Sequence, residues 1–325
     1  MLLGGLSYKT KQFFFVLIKL SIVVGAFYFI YEKLTHNENL DILVFIAFLT
    51  ENDVFSTKYV CFLLILTLFN WFFEILKWQY LVKAVKHISF KNAFEQSLGA
   101  LTASLITPNR IGEYGAKAAY YSSHQRKRIL LYNLLGNMTQ MSVTVLFGLI
   151  GMVFFASKYD FDIDYYKVIR FIAILIVVMA ISFFGIKQKR FKIRGLPLEK
   201  IRQFISQISR RTILVAELLS VIRYLIFSFQ FYILLHIFGV DVFYTKAMTV
   251  ITSMYLLASI IPTIFIFDVV VKGSVAVYLF SIVGVNELTI LSIITIMWLL
   301  NFVLPSLFGS YYVINFNFSK ASKNL

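Results

Sequence analysis

The sequence predicts an all-α polytopic membrane protein, with about six full spans and two re-entrant broken-helix hairpins set in an inverted repeat. Three observations lead there. Of 325 residues 59% are hydrophobic and only 14% charged, with a mean hydropathy of +0.80, whereas a soluble domain carries roughly 25% charged residues. The apolar excess comes in runs of about 20 residues, enough for a helix to cross a hydrocarbon core of about 30 Å. The order of those runs then repeats, with opposite polarity, in the second half of the chain.

The first run, Phe13 to Tyr31, follows Lys9 and Lys11. It is longer than the apolar core of a secretory signal and reads as a retained span with a cytoplasmic N-terminus. The next loop carries Glu32, Lys33, Glu38, Asp41, Glu51, Asp53 and Lys58. Within it the patch Leu40 to Thr50 is too short to cross and is expected to lie along the outer interface. A second span, Tyr59 to Val82, delivers Lys83, Lys86 and Lys91 to the cytoplasmic side, in keeping with the positive-inside rule.

Ser97 to Thr107 and Tyr114 to Ser122 are each too short to span, and they flank Pro108-Asn109-Arg110-Ile111-Gly112-Glu113. Arg126-Lys127-Arg128 follows at once, so this hairpin enters and leaves by one face. A third span, Ile129 to Ala156, ends in a loop with Asp160, Asp162 and Asp164. A fourth, Val168 to Ile186, returns to a basic cluster running from Lys187 to Arg211. Inside the cluster Leu198, Ile201, Ile205 and Ile208 recur at helical spacing, the pattern of an amphipathic helix on the inner leaflet. A fifth span covers Thr212 to Phe238. Ala247 to Phe267 and Ser274 to Val285 flank Asp268 to Lys272 as a second hairpin, entering from the opposite face. The last span, Leu288 to Ile314, ends before Lys320 and Lys323, which puts the C-terminus in the cytoplasm as well.

The chain is thus expected to be a single integral membrane domain over 1–325, with pseudo-repeats at 13–156 and 168–314. Local sequence agrees: Ala103-Ser104-Leu105-Ile106-Thr107-Pro108 echoes Ala258-Ser259-Ile260-Ile261-Pro262, and Glu113 with Lys117 matches Asp268 with Lys272. Inverted repeats with discontinuous helices are the usual build of alternating-access transporters. Glu113, Lys117, Asp268, Lys272 and Arg223 would all lie near the hydrocarbon, at about 3 kcal/mol each if uncompensated. Four-residue spacing admits a self-neutralising brace within each acid–lysine pair. Arg223 has no acid at helical spacing, so its partner comes from another segment or from a ligand. Glu74 and Lys77 are expected to snorkel or pair locally. Asn70, Asn137, Gln140 and Gln230 either line a polar path or bond between helices. Trp71 and Trp78 are expected to face lipid or the interface.

The same residues exclude several functions. The net charge of +15 sits in short loops beside apolar runs, so it fits positive-inside topology and not nucleic acid. One cysteine, Cys61, allows neither an internal disulfide nor a thiolate metal site. His36, His87, His124 and His236 lie without ligand spacing. No cofactor, metal or catalytic constellation is expected.

The run Pro108-Asn109-Arg110-Ile111-Gly112-Glu113 followed by Lys117, with Lys77-Trp78 closing the second span, resembles the lysylphosphatidylglycerol synthase transmembrane family, also called flippase-like. The resemblance extends over about Phe13 to Ile314 and implies a plasma-membrane lipid translocase for aminoacylated or other phospholipids. It singles out Pro108, Arg110, Gly112 and Glu113. Two departures stand out. Thr263-Ile264-Phe265-Ile266-Phe267 precedes Asp268 where such proteins are usually glycine-rich. The soluble aminoacyl-transfer domain of the fused synthases is missing, so making aminoacyl lipid is not expected of this chain alone. The expected site is a cavity between the hairpins that takes an anionic headgroup through Arg110, Lys117 and Arg223. The rivals are a membrane-embedded transferase with Glu113 or Asp268 as base, and a non-transporting adaptor.

Overall fold

The computed structural model describes residues 24, 42–51, 56–105, 107, 111–159, 192–193, 196–197, 204, 207–260 and 265–316. The expected first span apart from Val24, the fourth span and nearly all of the amphipathic helix lie outside the described residues, as do Pro108, Arg110 and Pro262. Helix α1 (Ile42–Glu51) holds the short apolar patch and α2 (Thr57–Val82) the second span. The arms on either side of the Pro108 segment are α3 (Phe90–Leu105) and α4 (Ile111–Ala119). The third and fifth spans are α5 (Ser123–Lys158) and α6 (Arg210–Ile237). The second pair of arms is α7 (Tyr244–Ile260) and α8 (Phe265–Ile282). The last span is α9 (Glu287–Trp298), continued through a π-helical turn, Leu299–Val303, into α10 (Leu304–Asn315). In the basic loop, two residues of β1 (Lys192–Ile193) pair antiparallel with β2 (Leu196–Pro197).

Four stretches among the described residues are long and apolar enough to cross a membrane: Thr57–Val82, Ser123–Lys158, Arg210–Ile237 and Glu287–Asn315. Three contain an expected span whole, the third falls one residue short of Phe238, and the helices otherwise overrun the apolar runs. The Arg126-Lys127-Arg128 triad, expected in a loop, lies in the first turns of α5. Arg and Lys are good helix formers, and backbone hydrogen bonding continues past the point where apolarity stops. A second difference concerns the second hairpin. Asp268 to Lys272 fall inside α8, and the two arms are separated by residues 261–264, which hold Pro262 and lie outside the described residues.

The helix ends have local causes. Ser209 Oγ accepts from the Thr212 amide at 3.1 Å and Asn286 Oδ1 from the Leu288 amide at 2.8 Å, capping α6 and α9. Gly239 at φ 71° and Gly284 at φ 84° end α6 and α8. At both, the following residue's amide reaches five residues back, Val240 to Leu235 O at 2.9 Å and Val285 to Phe280 O at 3.0 Å. This is the left-handed glycine stop that satisfies the last free carbonyls.

Packing follows the chain's small residues. Helix α2 lies along α6, α3 along α10, and α7 along α5. A Cβ on Gly309 would strike the Leu98 carbonyl, and one on Gly148 or Gly151 would strike Leu256 or Thr252. Glycine therefore lets α10 approach α3, and α5 approach α7, nearly backbone to backbone, the common device where lipid gives helices no hydrophobic reason to associate. The outward faces stay apolar, with Leu68, Val153 and Leu214 all more than 60% exposed. An apolar surface of that extent needs lipid against it.

Lys77 meets Ser220 and Thr67 meets Gln230, so α2 and α6 run antiparallel. Lys83 and Lys86 after α2 consequently share one end of the bundle with Arg210 and Arg211 of α6. The start of α5 joins them there, its Arg128 donating to the Ala84 carbonyl at 3.4 Å. The opposite end, around Glu51, Lys58, Lys158, Asp241, Lys246 and Glu287, mixes both signs.

Candidate functional site

A charge that must leave water for hydrocarbon costs about 3 kcal/mol even on forgiving scales, so each must find a partner. Glu74, on α2, accepts two. Lys77 Nζ, one turn on, lies 2.9 Å from its carboxylate, and Arg223 NH1, from α6, lies 2.9 Å from the same carboxylate. Arg223 also donates through Nε to Asn70 Oδ1 at 3.0 Å and through NH1 to Gln140 Oε1 at 3.3 Å. Lys77 Nζ reaches Ser220 Oγ at 3.5 Å, and Ser220 donates to Thr139 Oγ1 at 3.1 Å. Helices α2, α5 and α6 are thereby tied by one polar cluster. The partner that Arg223 lacks in its own helix is Glu74. Lys77 pairs locally as expected but does not snorkel, because its side chain is only 4% exposed.

A second cluster sits on the first hairpin. Lys117 and Glu113 form the expected brace at 2.8 Å, with both side chains buried. Lys117 Nζ also donates to Asn133 Oδ1 at 2.8 Å and stands 4.3 Å from the centre of the Trp78 ring. An ammonium over an indole face is held by the ring's quadrupole. Trp78 is fixed in turn, its Nε1–H donating to Gln96 Oε1 at 2.8 Å, an oxygen that also accepts from Tyr121. Gly112 has a packing reason: a Cβ there would strike the Ala103 carbonyl, and the Gly112 amide donates to Thr107 Oγ1 at 2.8 Å.

A chain of amides continues inward from Arg223. Asn70 Nδ2 donates to Asn301 Oδ1 at 2.7 Å, Asn301 Nδ2 to Gln230 Oε1 at 2.9 Å, and Gln230 Nε2 to Thr67 Oγ1 at 2.9 Å. Asn301 lies in the π-helical turn, where its carbonyl accepts from Trp71 Nε1 at 3.1 Å. A π-helical turn loosens the regular ladder and frees a carbonyl for such an outside donor. Asn70, Gln140 and Gln230 bond between helices, and Asn137 donates to Tyr114 at 2.9 Å. Trp71 and Trp78 correct the expectation, since both are buried and bonded rather than lipid-facing.

Of the residues picked from sequence, Glu113 joins Lys117, and Arg223 joins a separate pair, Glu74 and Lys77. Lys272 stands 5.8 Å from the Phe302 ring, next in sequence to Asn301. Pro108, Arg110 and the Asp268 side chain lie outside the described residues. Asn133, Asn301 and Gln96 were not singled out from sequence, although the first two are amides inside apolar spans like the four that were. No group of three His, Cys, Asp or Glu able to hold a metal occurs among the described residues.

The family model described as the lysylphosphatidylglycerol synthase transmembrane region matches residues 16–309. No curated protein and no solved structure matches the chain.

Proposed function

The chain belongs to the lysylphosphatidylglycerol synthase transmembrane family, a family tied to membrane lipid, and from that premise we propose that it binds and translocates an anionic or aminoacylated phospholipid in the plasma membrane. The observation that carries the reading is the balance of buried charge. Among the described residues the two clusters hold three cations, Lys77, Lys117 and Arg223, against two carboxylates, Glu74 and Glu113. A net positive charge within these two clusters favours an anionic guest such as a lipid phosphate.

In this reading the headgroup enters between the two hairpins, meeting Arg110, Lys117 and Arg223 on one side and Asp268 and Lys272 on the other. Pro108, Gly112 and Glu113 shape and brace the first hairpin. Helix contacts support the repeat on which alternating access depends. Exchanging α2 through α5 for α6 through α10 turns the α3–α10 contact into α7–α5, α3–α4 into α7–α8, and α4–α5 into α8–α9, all of which occur. The contact of α2 with α6 maps on to itself. The carboxylate of Glu113, the base of a transferase mechanism, lies on Lys117, which favours a brace over a base. No enzymatic step is part of this proposal.

Reconstitution of the full chain into vesicles with fluorescent phosphatidylglycerol, lysylphosphatidylglycerol and phosphatidylcholine tests it. Faster exchange between leaflets for the first two, lost in Arg223→Gln while that variant stays folded, is the expected result. Equal rates for all three lipids, or rates equal to empty vesicles, would overturn it.

A further inference from the structure

A groove of 410 Å³ opens at the basic end of the bundle, lined by Leu76, Gln79 and Tyr80 of α2, Lys83 at its C-cap, His87 and Ile88 of the following loop, and Leu219 of α6. Leu76, Gln79, Tyr80 and the cap residue Lys83 fall at i, i+3, i+4 and i+7, a single stripe of the helix, since the cap keeps right-handed helical backbone. Gln79 Nε2 donates to the Ile88 carbonyl at 3.1 Å, which folds the loop back over the helix and makes the wall. The lining grades from apolar to cationic along the axis: Leu76 and Leu219 at the inner end, Gln79 and Tyr80 between, Lys83 and His87 at the mouth. No carboxylate lines it among the described residues. Below Leu76 the same stripe continues as Phe72, Phe69 and Ile65, all exposed to the surroundings of the bundle.

We propose that this groove binds one anionic phospholipid of the leaflet at the basic end, with its phosphate on Lys83 and His87 and its acyl chains along Leu76, Phe72, Phe69 and Ile65. The volume lies within the roughly 300–1,000 Å³ of small-ligand sites. It suits a headgroup and glycerol, with the chains left to the open apolar stripe. Lys83 and His87 are exposed, Lys86 and Lys91 follow close in sequence, and Arg128 donates to the carbonyl of Ala84, next to Lys83, so the field at the mouth is positive and selects phosphate without a compensating cation on the lipid. By the positive-inside rule that leaflet is the cytoplasmic one. The site is separate from the buried clusters, because Lys77 and Ser220, beside Leu76 and Leu219 in sequence, are buried and turned to each other. Occupation of the groove does not require that lipid be translocated.

The test is photo-crosslinking of the full chain in phosphatidylcholine vesicles doped with a photoactivatable phosphatidylglycerol, followed by peptide mapping. Adducts are expected between Leu76 and Ile88 and at Leu219, competed by unlabelled phosphatidylglycerol and not by phosphatidylcholine or inorganic phosphate. Lys83→Gln with His87→Gln should cut the adducts about tenfold, the size of one lost charge-assisted contact. Leu219→Trp, which fills the groove and leaves every charge in place, should do the same. Thermal midpoints report folding of each variant, and the Lys83 and His87 changes are on exposed side chains. Undiminished adducts in the folded double variant, equal competition by phosphatidylcholine, or displacement by inorganic phosphate would each overturn the proposal.

Discussion

At the scale of single residues, the Glu74 cluster ranks its own variants. Glu74→Gln leaves Lys77 and Arg223 side by side without a carboxylate, the situation in which breaking a buried pair costs about 3–5 kcal/mol. Arg223→Gln leaves Glu74 still held by Lys77 at 2.9 Å, and the arginine side chain is itself 21% exposed. Its cost should stay below about 3 kcal/mol. Thermal unfolding in detergent should therefore place Glu74→Gln well below Arg223→Gln, and the reverse order would deny Glu74 its central place. The Glu113–Lys117 brace makes a different prediction. Exchanging the two, Glu113→Lys with Lys117→Glu, preserves the pair but puts a carboxylate against the Asn133 oxygen and the Trp78 face, both of which select a cation. The exchange should destabilise the protein nearly as much as Lys117→Gln, whereas a brace that mattered only as a pair would survive it. The Glu113–Lys117 pair was legible in the sequence because four residues of helix bring it together. The bond of Glu74 to Arg223 was not, since it depends on the register of two helices far apart in the chain.

At the scale of elements, the spans were legible from hydropathy while their inner faces were not. In a soluble helix polarity marks the outside; here lipid-facing and core-facing positions are equally apolar, so the burial of Trp71 and Trp78 left no mark in the pattern. What does mark a helix contact is glycine, and its meaning varies with what lies opposite. Gly309 and Gly112 each face a backbone carbonyl, of Leu98 and Ala103, which cannot move aside as a side chain would. Alanine at either should cost about 1–3 kcal/mol as overpacking. Gly115, on the same short helix as Gly112, has nothing within 4 Å of its would-be Cβ. Gly115→Ala should be neutral or stabilise by up to about 1 kcal/mol through helix propensity. Equal midpoints for Gly112→Ala and Gly115→Ala would mean that α3 and α4 do not approach as closely as described. Asp268 to Lys272 reads as the connection between two apolar pieces because charge resembles a loop, yet the run lies in α8, and a helix tolerates charge where a neighbour such as Phe302 receives it.

At the scale of the whole molecule, the contacts fix which helix ends share a side, and the charges then choose the side. Gln125 stands in the first turn of α5, at the end where Arg128 meets Ala84, and Asp241 follows α6 at the far end of the antiparallel α2–α6 pair. The two positions must therefore face opposite compartments, whatever the orientation of the bundle. With lysine and arginine concentrated at the Gln125 end, the positive-inside rule predicts that end in the cytoplasm. In a Cys61→Ala background, single cysteines at Asp241, and at Asn39 and Asp162 by the order of expected spans, should react with an impermeant thiol reagent applied to intact cells. Cysteines at Gln125 and Gln188 should react only after permeabilisation. Labelling in the mirror-image pattern would keep the fold and turn the molecule over, so that the groove at Lys83 and His87 would draw its lipid from the outer leaflet. Labelling of Gln125 and Asp241 from one side would break the antiparallel relation itself, and with it the exchange of contacts that supports two halves of opposite hand.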